Sequence, residues 1–399
     1  MSNVNIATAG AGSRDPLDRL LPVAGVVGLA LFVLFNLVVV VLVLRDPSAS
    51  SVVPVYRNGA LGWWRGEDIF GAGREGFLYL PSFAVLYTPF ALLGPNVGDA
   101  LWRVVSVVLL AFALWRASIL AMPSMPARDR LLVFGAALLF LMPSAFSALR
   151  NGQATTILTA LMLLSALSIA ERRWWLAALL LGLAFAIKPL AFVMMLLVGV
   201  LYPKLGWRLL VVTIGVLLLP LVNPDPVVAF HLYGLGIQKI MVAGDPGEGA
   251  WADITGLLHS LGIWLSDPVL TAIRIVIAAV VLGLAYITKR RRDGLDAAID
   301  IFALSVVYLM LMNPRTEANT YIMFGSVLAV YASIVWNRDR LAGPTWFLGA
   351  IAFGFLVQAL TFKLTNLWLQ PLLCLAFLPF LVWRCLAAPQ AATTSARTR

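Results

Sequence analysis

The sequence predicts an all-α polytopic membrane protein, with about 12 transmembrane helices, a long first extracytoplasmic loop and one re-entrant or interfacial helix. Three observations carry this. Hydrophobic residues fill 61% of the 399 positions and charged residues 12%, more apolar surface than a soluble fold of this length can bury. Uncharged runs at 20–44, 131–149, 154–170, 318–337, 341–362 and 364–383 each have about the length a helix needs to cross ~30 Å of hydrocarbon. The tetrabasic stretch Lys289-Arg290-Arg291-Arg292 marks a cytoplasmic loop by the positive-inside rule.

The elements follow from these. The first run, after Arg19, is too long for a signal-peptide core and has no small-residue cleavage site behind it, so it reads as an uncleaved anchor. Shorter apolar segments lie around 99–122, 174–187, 189–203, 209–222, 269–288 and 297–312. Working back from the tetrabasic marker, the 223–268 loop is outside and Lys204 and Arg208 are inside. Lys188-Pro189 divides 174–203 into two helices of about 21–22 Å each, meeting at the outer surface. Arg116, Arg128, Arg130, Arg172 and Arg173 then stay inside, and the apolar stretch 77–94 cannot cross completely. It reads as a helix pair broken near Pro81 and Pro89, with a cavity beside it. The alternative, a full span at 77–94 and one long helix at 174–203, exports those five arginines.

With this topology the cytoplasmic segments hold 18 Lys/Arg and 8 Asp/Glu, and the outer side 11 of each. Both termini are expected in the cytoplasm of a cell with the chain in its inner (plasma) membrane. Segments 1–18 and 387–399 read as disordered tails around a single transmembrane domain, 19–386. The net charge of +10 is spread over short loops, which argues against nucleic acid as a partner. Cys374 and Cys385 read as small core hydrophobes. His231 and His259 lack zinc spacing, and neither a Gly-rich phosphate loop nor a Gly-x-Ser-x-Gly elbow is present. No metal and no cofactor is implied.

Polarity gathers on the outer face. The first loop carries Asp46, Glu67, Asp68 and Glu75 with Arg45, Arg57, Arg65 and Arg74. Within it VYRNGALGWW reads as an interfacial helix with Tyr56, Trp63 and Trp64 at headgroup level. Arg150-Asn151-Gly152-Gln153 joins two spans. Lys188 is sunk below the surface by its short helices, where an ionisable side chain is a functional candidate, or else it snorkels. Asn313-Pro314-Arg315-Thr316-Glu317-Ala318-Asn319 is a dense polar cluster, or a turn capped by Thr316 or Asn313. Outward acids, several cations and a lipid-accessible cavity suit a substrate that is half lipid and half anion, such as a polyprenyl-phosphate sugar. Arginine or lysine would hold its phosphate, and a carboxylate would take the proton of the acceptor hydroxyl.

Taken in order, Tyr56-Arg57-Asn58-Gly59-Ala60, Phe77-Leu78-Tyr79-Leu80-Pro81, Asn151-Gly152-Gln153, Gly182 to Lys188-Pro189 and Asn313-Pro314-Arg315-Thr316-Glu317 resemble glycosyltransferase family 87. That group of GT-C membrane enzymes includes polyprenol-phosphate-mannose-dependent mannosyltransferases, and the resemblance covers about 45–340. It implies a GT-C-type bundle, a polyprenyl-phosphate sugar donor, a lipid-linked or cell-envelope glycan acceptor, an extracytoplasmic site and an essential aspartate early in the first outer loop. Here Val52-Val53-Pro54 stands where that aspartate usually lies. The catalytic candidates are therefore Asp46, the nearest upstream acid, and behind it Asp68 and Glu67. A histidine often found after the Pro-Arg turn is also absent, leaving Glu317 and Asn319. Substrate-binding candidates are Arg57, Tyr56, Tyr79, Arg150, Gln153, Lys188, Arg315, Glu317 and Asn319. The leading expectation is an inverting transferase of a mannose-like hexose or a pentose. A transporter or flippase of lipid-linked sugars is the rival, and a structural assembly subunit ranks below both.

Overall fold

The computed structural model describes residues 16–71, 76–244, 251–292 and 294–387. The expected tails, apart from residues 16–18 and 387, lie outside the described residues, as do Arg74, Glu75, Asp245 and Glu248. The chain is all-helical, and among the described residues there is no strand. In order the helices are α1 (Pro16–Arg45), α2 (Val53–Arg65), α3 (Pro81–Leu92), α4 (Pro95–Ala121), α5 (Ala127–Asn151), α6 (Thr155–Ala170), α7 (Trp174–Ile187), α8 (Phe192–Leu201) and α9 (Pro203–Leu218). They continue with α10 (Pro226–Gly244), α11 (Ile254–Ser260), α12 (Asp267–Arg291), α13 (Gly294–Met312), α14 (Ile322–Ala332), α15 (Ala342–Leu360), α16 (Phe362–Thr365) and α17 (Leu369–Leu386). Short 3₁₀ turns precede α8 and α14, and a π-turn extends α14 through Ser333–Arg338.

Among the described residues nine helical stretches are long and apolar enough to span a bilayer. Five more are apolar but shorter, among them α6, α7 and the Pro189–Leu201 stretch, the three that the expected count of twelve includes. Contacts at their ends show that these three run between the same two ends of the bundle as the long helices. At one end, the site end, Lys188 after α7 meets Thr155 of α6. At the other, Glu171 after α6 pairs with Arg116 of α4 at 2.8 Å, and the Lys289 ammonium donates to the Leu201 carbonyl at the end of α8.

Helix α3 does not travel between the ends. Near its start Ser82 Oγ donates to the Ala186 carbonyl of α7 at 3.0 Å. Near its finish Phe90 packs on Trp102 of α4, whose indole N–H donates to the Gly152 carbonyl. Both partners belong to the site end, so α3 lies across it. At about 1.5 Å per residue, its 12 residues could not cross in any case. The expected break at two prolines is corrected: Pro81 opens the helix, where its missing N–H costs nothing, and Pro89 is accommodated inside one continuous element.

The interfacial reading of α2 is corrected too. Tyr56 and Trp63 are fully buried, because α3 packs along α2 and the Asn223 amide donates to the Trp63 carbonyl. Trp64 alone of the three is exposed, its indole N–H donating to Thr88 at 2.7 Å. The expected loop 223–268 contains two helices, α10 and α11.

At the periphery α1 is held by close backbone approach rather than by bulk. A Cβ on Gly28 would stand 1.9 Å from the Gly135 carbonyl oxygen of α5, so glycine on both helices permits this small-residue packing. Elsewhere on α1, Val23, Val26, Leu34 and Leu37 are exposed, as a lipid-facing surface requires.

Candidate active site

Backbone geometry after α5 begins the site. Gly152 ends the helix at φ +73°, and a Cβ there would come within 2.5 Å of Val53 and 2.8 Å of the Arg103 guanidinium carbon. Glycine is required on both counts. The tight turn lets the Val52 N–H donate to the Asn151 carbonyl at 3.1 Å, which seats the start of α2 on the end of α5. Arg103 of α4 locks the junction, donating to Ser51 Oγ at 2.9 Å and to the Arg150 carbonyl at 3.4 Å.

This seating carries Tyr56 into the core. Its hydroxyl lies 2.8 Å from that of Tyr79, donates to Gln153 Oε1 at 3.3 Å and accepts from the Ala154 N–H at 3.1 Å. Burial pushes both phenols above their usual range, so they act as neutral hydrogen-bonding groups. Phe83, Tyr87 and Trp102 surround the Tyr56 ring edge-to-face, with centroids 5.0–6.1 Å away, a favoured aromatic arrangement.

Tyr79 and Gln153 face a cavity of about 300 Å³, whose wall also carries Lys188, Asn313, Arg315 and Glu317 among apolar Val55, Leu190 and Ile240. Lys188 stands in extended backbone (φ −149°, ψ 130°) between α7 and Pro189. Its ammonium lies 3.4 Å from Thr155 Oγ1 and 5.9 Å from the centre of the Tyr79 ring. Among the described residues it forms no salt bridge.

The opposite wall is built by the turn after α13. Thr316 is fully buried; its hydroxyl donates to the Leu309 carbonyl and its own carbonyl accepts from the Ala252 N–H at 2.8 Å. The flanking Arg315 and Glu317 are thereby fixed. The Arg315 guanidinium lies over the Trp251 ring at 4.5 Å, a cation–π contact, and Glu317 Oε2 accepts from the Asn319 amide at 2.9 Å. Asn319 therefore orients the carboxylate and is not itself part of the cavity wall.

The other candidates lie outside this wall. Asp46 is exposed and caps its own turn, accepting from Ser48 N, Ser48 Oγ and Ala49 N. The Ser48 hydrogen bonds hold its carboxyl below the usual range. Glu67 pairs with Arg65 at the surface, and Asp68 accepts from the N–H groups of Phe70 and Gly71. Arg57 donates to both carboxylate oxygens of buried Asp99 at 2.8 Å, tying α2 to α4. Arg150 gives its carbonyl to Arg103. Glu317 is the one carboxylate on the wall among the described residues.

Sequence reasoning missed Asp99, although it left a signal: Asp99 and Arg103, four residues apart, in an otherwise apolar helix start. It also missed Trp251, which stacks under Arg315. At the other end of the bundle a second network passed unnoticed. Arg292, Arg338 and Arg384 interlace with Asp296, Asp300 and Asp339, and Tyr331 donates to Asp300 at 2.6 Å. Among the described residues no group of three or more His, Cys, Asp and Glu is placed to hold a metal.

The fold and this polar cavity define a polytopic membrane protein with a charged site at one end. Comparison with known families makes it specific: the family model of glycosyltransferase family 87 matches residues 77–314, well over half the chain, and the protein belongs to that family. It is therefore a membrane glycosyltransferase. The match covers neither Asp46, Tyr56, Arg57, Glu67 and Asp68 before it nor Arg315, Glu317 and Asn319 after it. No curated protein and no solved structure matches the chain.

Proposed function

We propose that the protein transfers a sugar, a mannose-like hexose or a pentose, from a polyprenyl-phosphate donor to a lipid-linked or cell-envelope glycan. The reaction takes place at the extracytoplasmic end of the bundle and inverts the anomeric carbon. One observation carries the reading: Lys188, Arg315 and Glu317 converge on a single cavity whose remaining wall is largely apolar. A phosphate attached to a lipid needs both parts, cations for its oxygens and an apolar path for its chain.

In this reading Lys188 and Arg315 bind the donor phosphate and stabilise the charge it gains on leaving. The acceptor hydroxyl oxygen bonds to the anomeric carbon while the bond from that carbon to the phosphate oxygen breaks. Polyprenyl phosphate departs with the electron pair, and the hydroxyl proton passes to Glu317. Glu317 takes this role in place of Asp46, Asp68 and Glu67 because its carboxylate reaches the cavity. Tyr79 and Gln153, fixed by Tyr56, hold the sugar, and Asn319 holds Glu317. Arg57 and Arg150 serve as supports of the α2–α4–α5 junction.

The test is direct: purified protein is incubated with radiolabelled polyprenyl-phosphate sugars and membrane lipid extract, and transfer to lipid is measured. Labelled glycolipid from at least one donor is expected. Hydrolysis-free recovery of every donor unchanged, from folded protein, would overturn the donor class.

A further inference from the structure

At the end of the bundle opposite the candidate active site lies a second cavity, of about 570 Å³, whose wall carries Arg172, Lys204, Lys289 and Arg292 beside Trp174 and Tyr202. The four cations come from the α6–α7 turn, the start of α9 and the end of α12. Among the described residues the wall has no acidic side chain. Arg292 is compensated by Asp296 at 2.9 Å and Asp300 at 3.3 Å. Arg172, Lys204 and Lys289 form no salt bridge among the described residues.

The backbone at Arg172 is unusual. The residue closes α6 at φ +59°, with its N–H donating to the Ile169 carbonyl and that of Arg173 to Ser168. This left-handed helix stop normally takes glycine or asparagine. A long cation held there at a steric cost is an outlier from which function can be argued, and its side chain joins the cavity wall.

The basic cavity neighbours an apolar groove, and Lys289 lines both. The groove runs between α8 and α12, past Val200 and Leu282, up to Val193 and Tyr308. It exists because α12 presents Ala278, Ala279 and Gly283 to it; a Cβ on Gly283 would meet nothing within 4 Å. Exposed Trp175 and Trp207, edge-to-face at 5.1 Å with Arg208 over the latter ring, put the level of the membrane interface beside the cavity.

We propose that this cavity binds the phosphate headgroup of an anionic membrane phospholipid, with one acyl chain in the α8–α12 groove. Basic pockets between transmembrane helices are suited to such headgroups, and the charge selects the lipid while the groove receives its tail. Bound lipid then joins α6, α9 and α12 and stabilises the folded protein by mass action.

The test measures thermal unfolding of detergent-purified protein with added phosphatidylglycerol, phosphatidylcholine or inorganic phosphate. Wild type is expected to gain several degrees in Tm with phosphatidylglycerol alone. Arg172→Ala/Lys204→Ala, changed at exposed positions, should keep the unliganded Tm and lose the gain. Gly283→Leu, which fills open space in the groove, should lose it as well. Equal shifts from both lipids, a shift from inorganic phosphate equal to that from phosphatidylglycerol, or a full shift in either variant would overturn the proposal. All three positions lie at the opposite end from Lys188, so sugar transfer can fail or succeed independently of this outcome.

Discussion

The hydroxyl groups of Tyr56 and Tyr79 lie 2.8 Å apart, joining α2, whose Val55 lines the cavity, to a second residue on its wall. Through that contact Tyr56, itself off the wall, acts on it at one remove: it satisfies Gln153 and the Ala154 N–H while Tyr79 and Gln153 face the cavity.

Replacing Tyr56 by Phe keeps the aromatic packing and deletes the hydroxyl. The buried Ala154 N–H loses its acceptor, and a buried polar group left unpaired costs roughly 1–3 kcal/mol. A lower Tm, together with weaker donor binding from looser Tyr79 and Gln153, is expected in thermal unfolding and donor titration. An unchanged Tm would show that water replaces the hydroxyl.

Arg57→Ala and Asp99→Leu separate a structural from a substrate-binding role. Removing Arg57 strands the buried Asp99 carboxylate, which costs about 3–5 kcal/mol for a buried pair broken on one side. The double variant Arg57→Met/Asp99→Leu should recover most of that loss. Recovery of stability together with retained transfer identifies the pair as a strut; stable protein that no longer binds donor would return Arg57 to the substrate.

Gly152→Ala meets both a left-handed backbone and a blocked Cβ position. A non-glycine residue in strained backbone costs on the order of 1–3 kcal/mol, and displacement of Arg103 adds to it. Expression yield and Tm should both fall. Normal values for both would mean that the α5–α6 turn can be rebuilt.

How much of this was legible beforehand depends on how local each feature is. Lys188 stood out because a charge and a proline interrupt one apolar stretch, and short helices on either side lower it into the bundle. Arg315 and Glu317 stood out as a polar cluster between apolar runs. Tyr56 and Trp63 misled: beside Trp64 they look like headgroup anchors, and only the later α3 and Asn223 cover them. Asp99 was invisible as a partner because Arg57 is 42 residues away. The network of Arg292, Asp296, Asp300, Arg338, Asp339 and Arg384 spans four helix ends, those of α12, α13, α14 with its π-turn, and α17, whose charges read alone as ordinary helix flanks. Asp46 stood out as the first acid after α1, and the sequence did not show that its carboxylate caps the Ser48 turn away from the cavity wall.

Donor binding should divide between the two cations. Lys188→Ala and Arg315→Ala each remove a charged contact to phosphate worth about 1.5–3 kcal/mol, roughly ten- to a hundredfold in Kd. Titration with a polyprenyl-phosphate sugar measures it, with thermal unfolding as the control for folding. Normal donor affinity in both folded variants would contradict the assignment.

The account rests most heavily on Glu317, and one comparison tests it: initial transfer rates of Glu317→Gln and Asp46→Asn at saturating donor, beside wild type. Both substitutions keep shape and remove a proton acceptor. General-base catalysis contributes about 10²- to 10⁴-fold, so Glu317→Gln should lose a factor of that size with its Tm unchanged, while Asp46→Asn stays close to wild type. Full activity in Glu317→Gln with collapse in Asp46→Asn would move the chemistry out of this cavity and into the first loop.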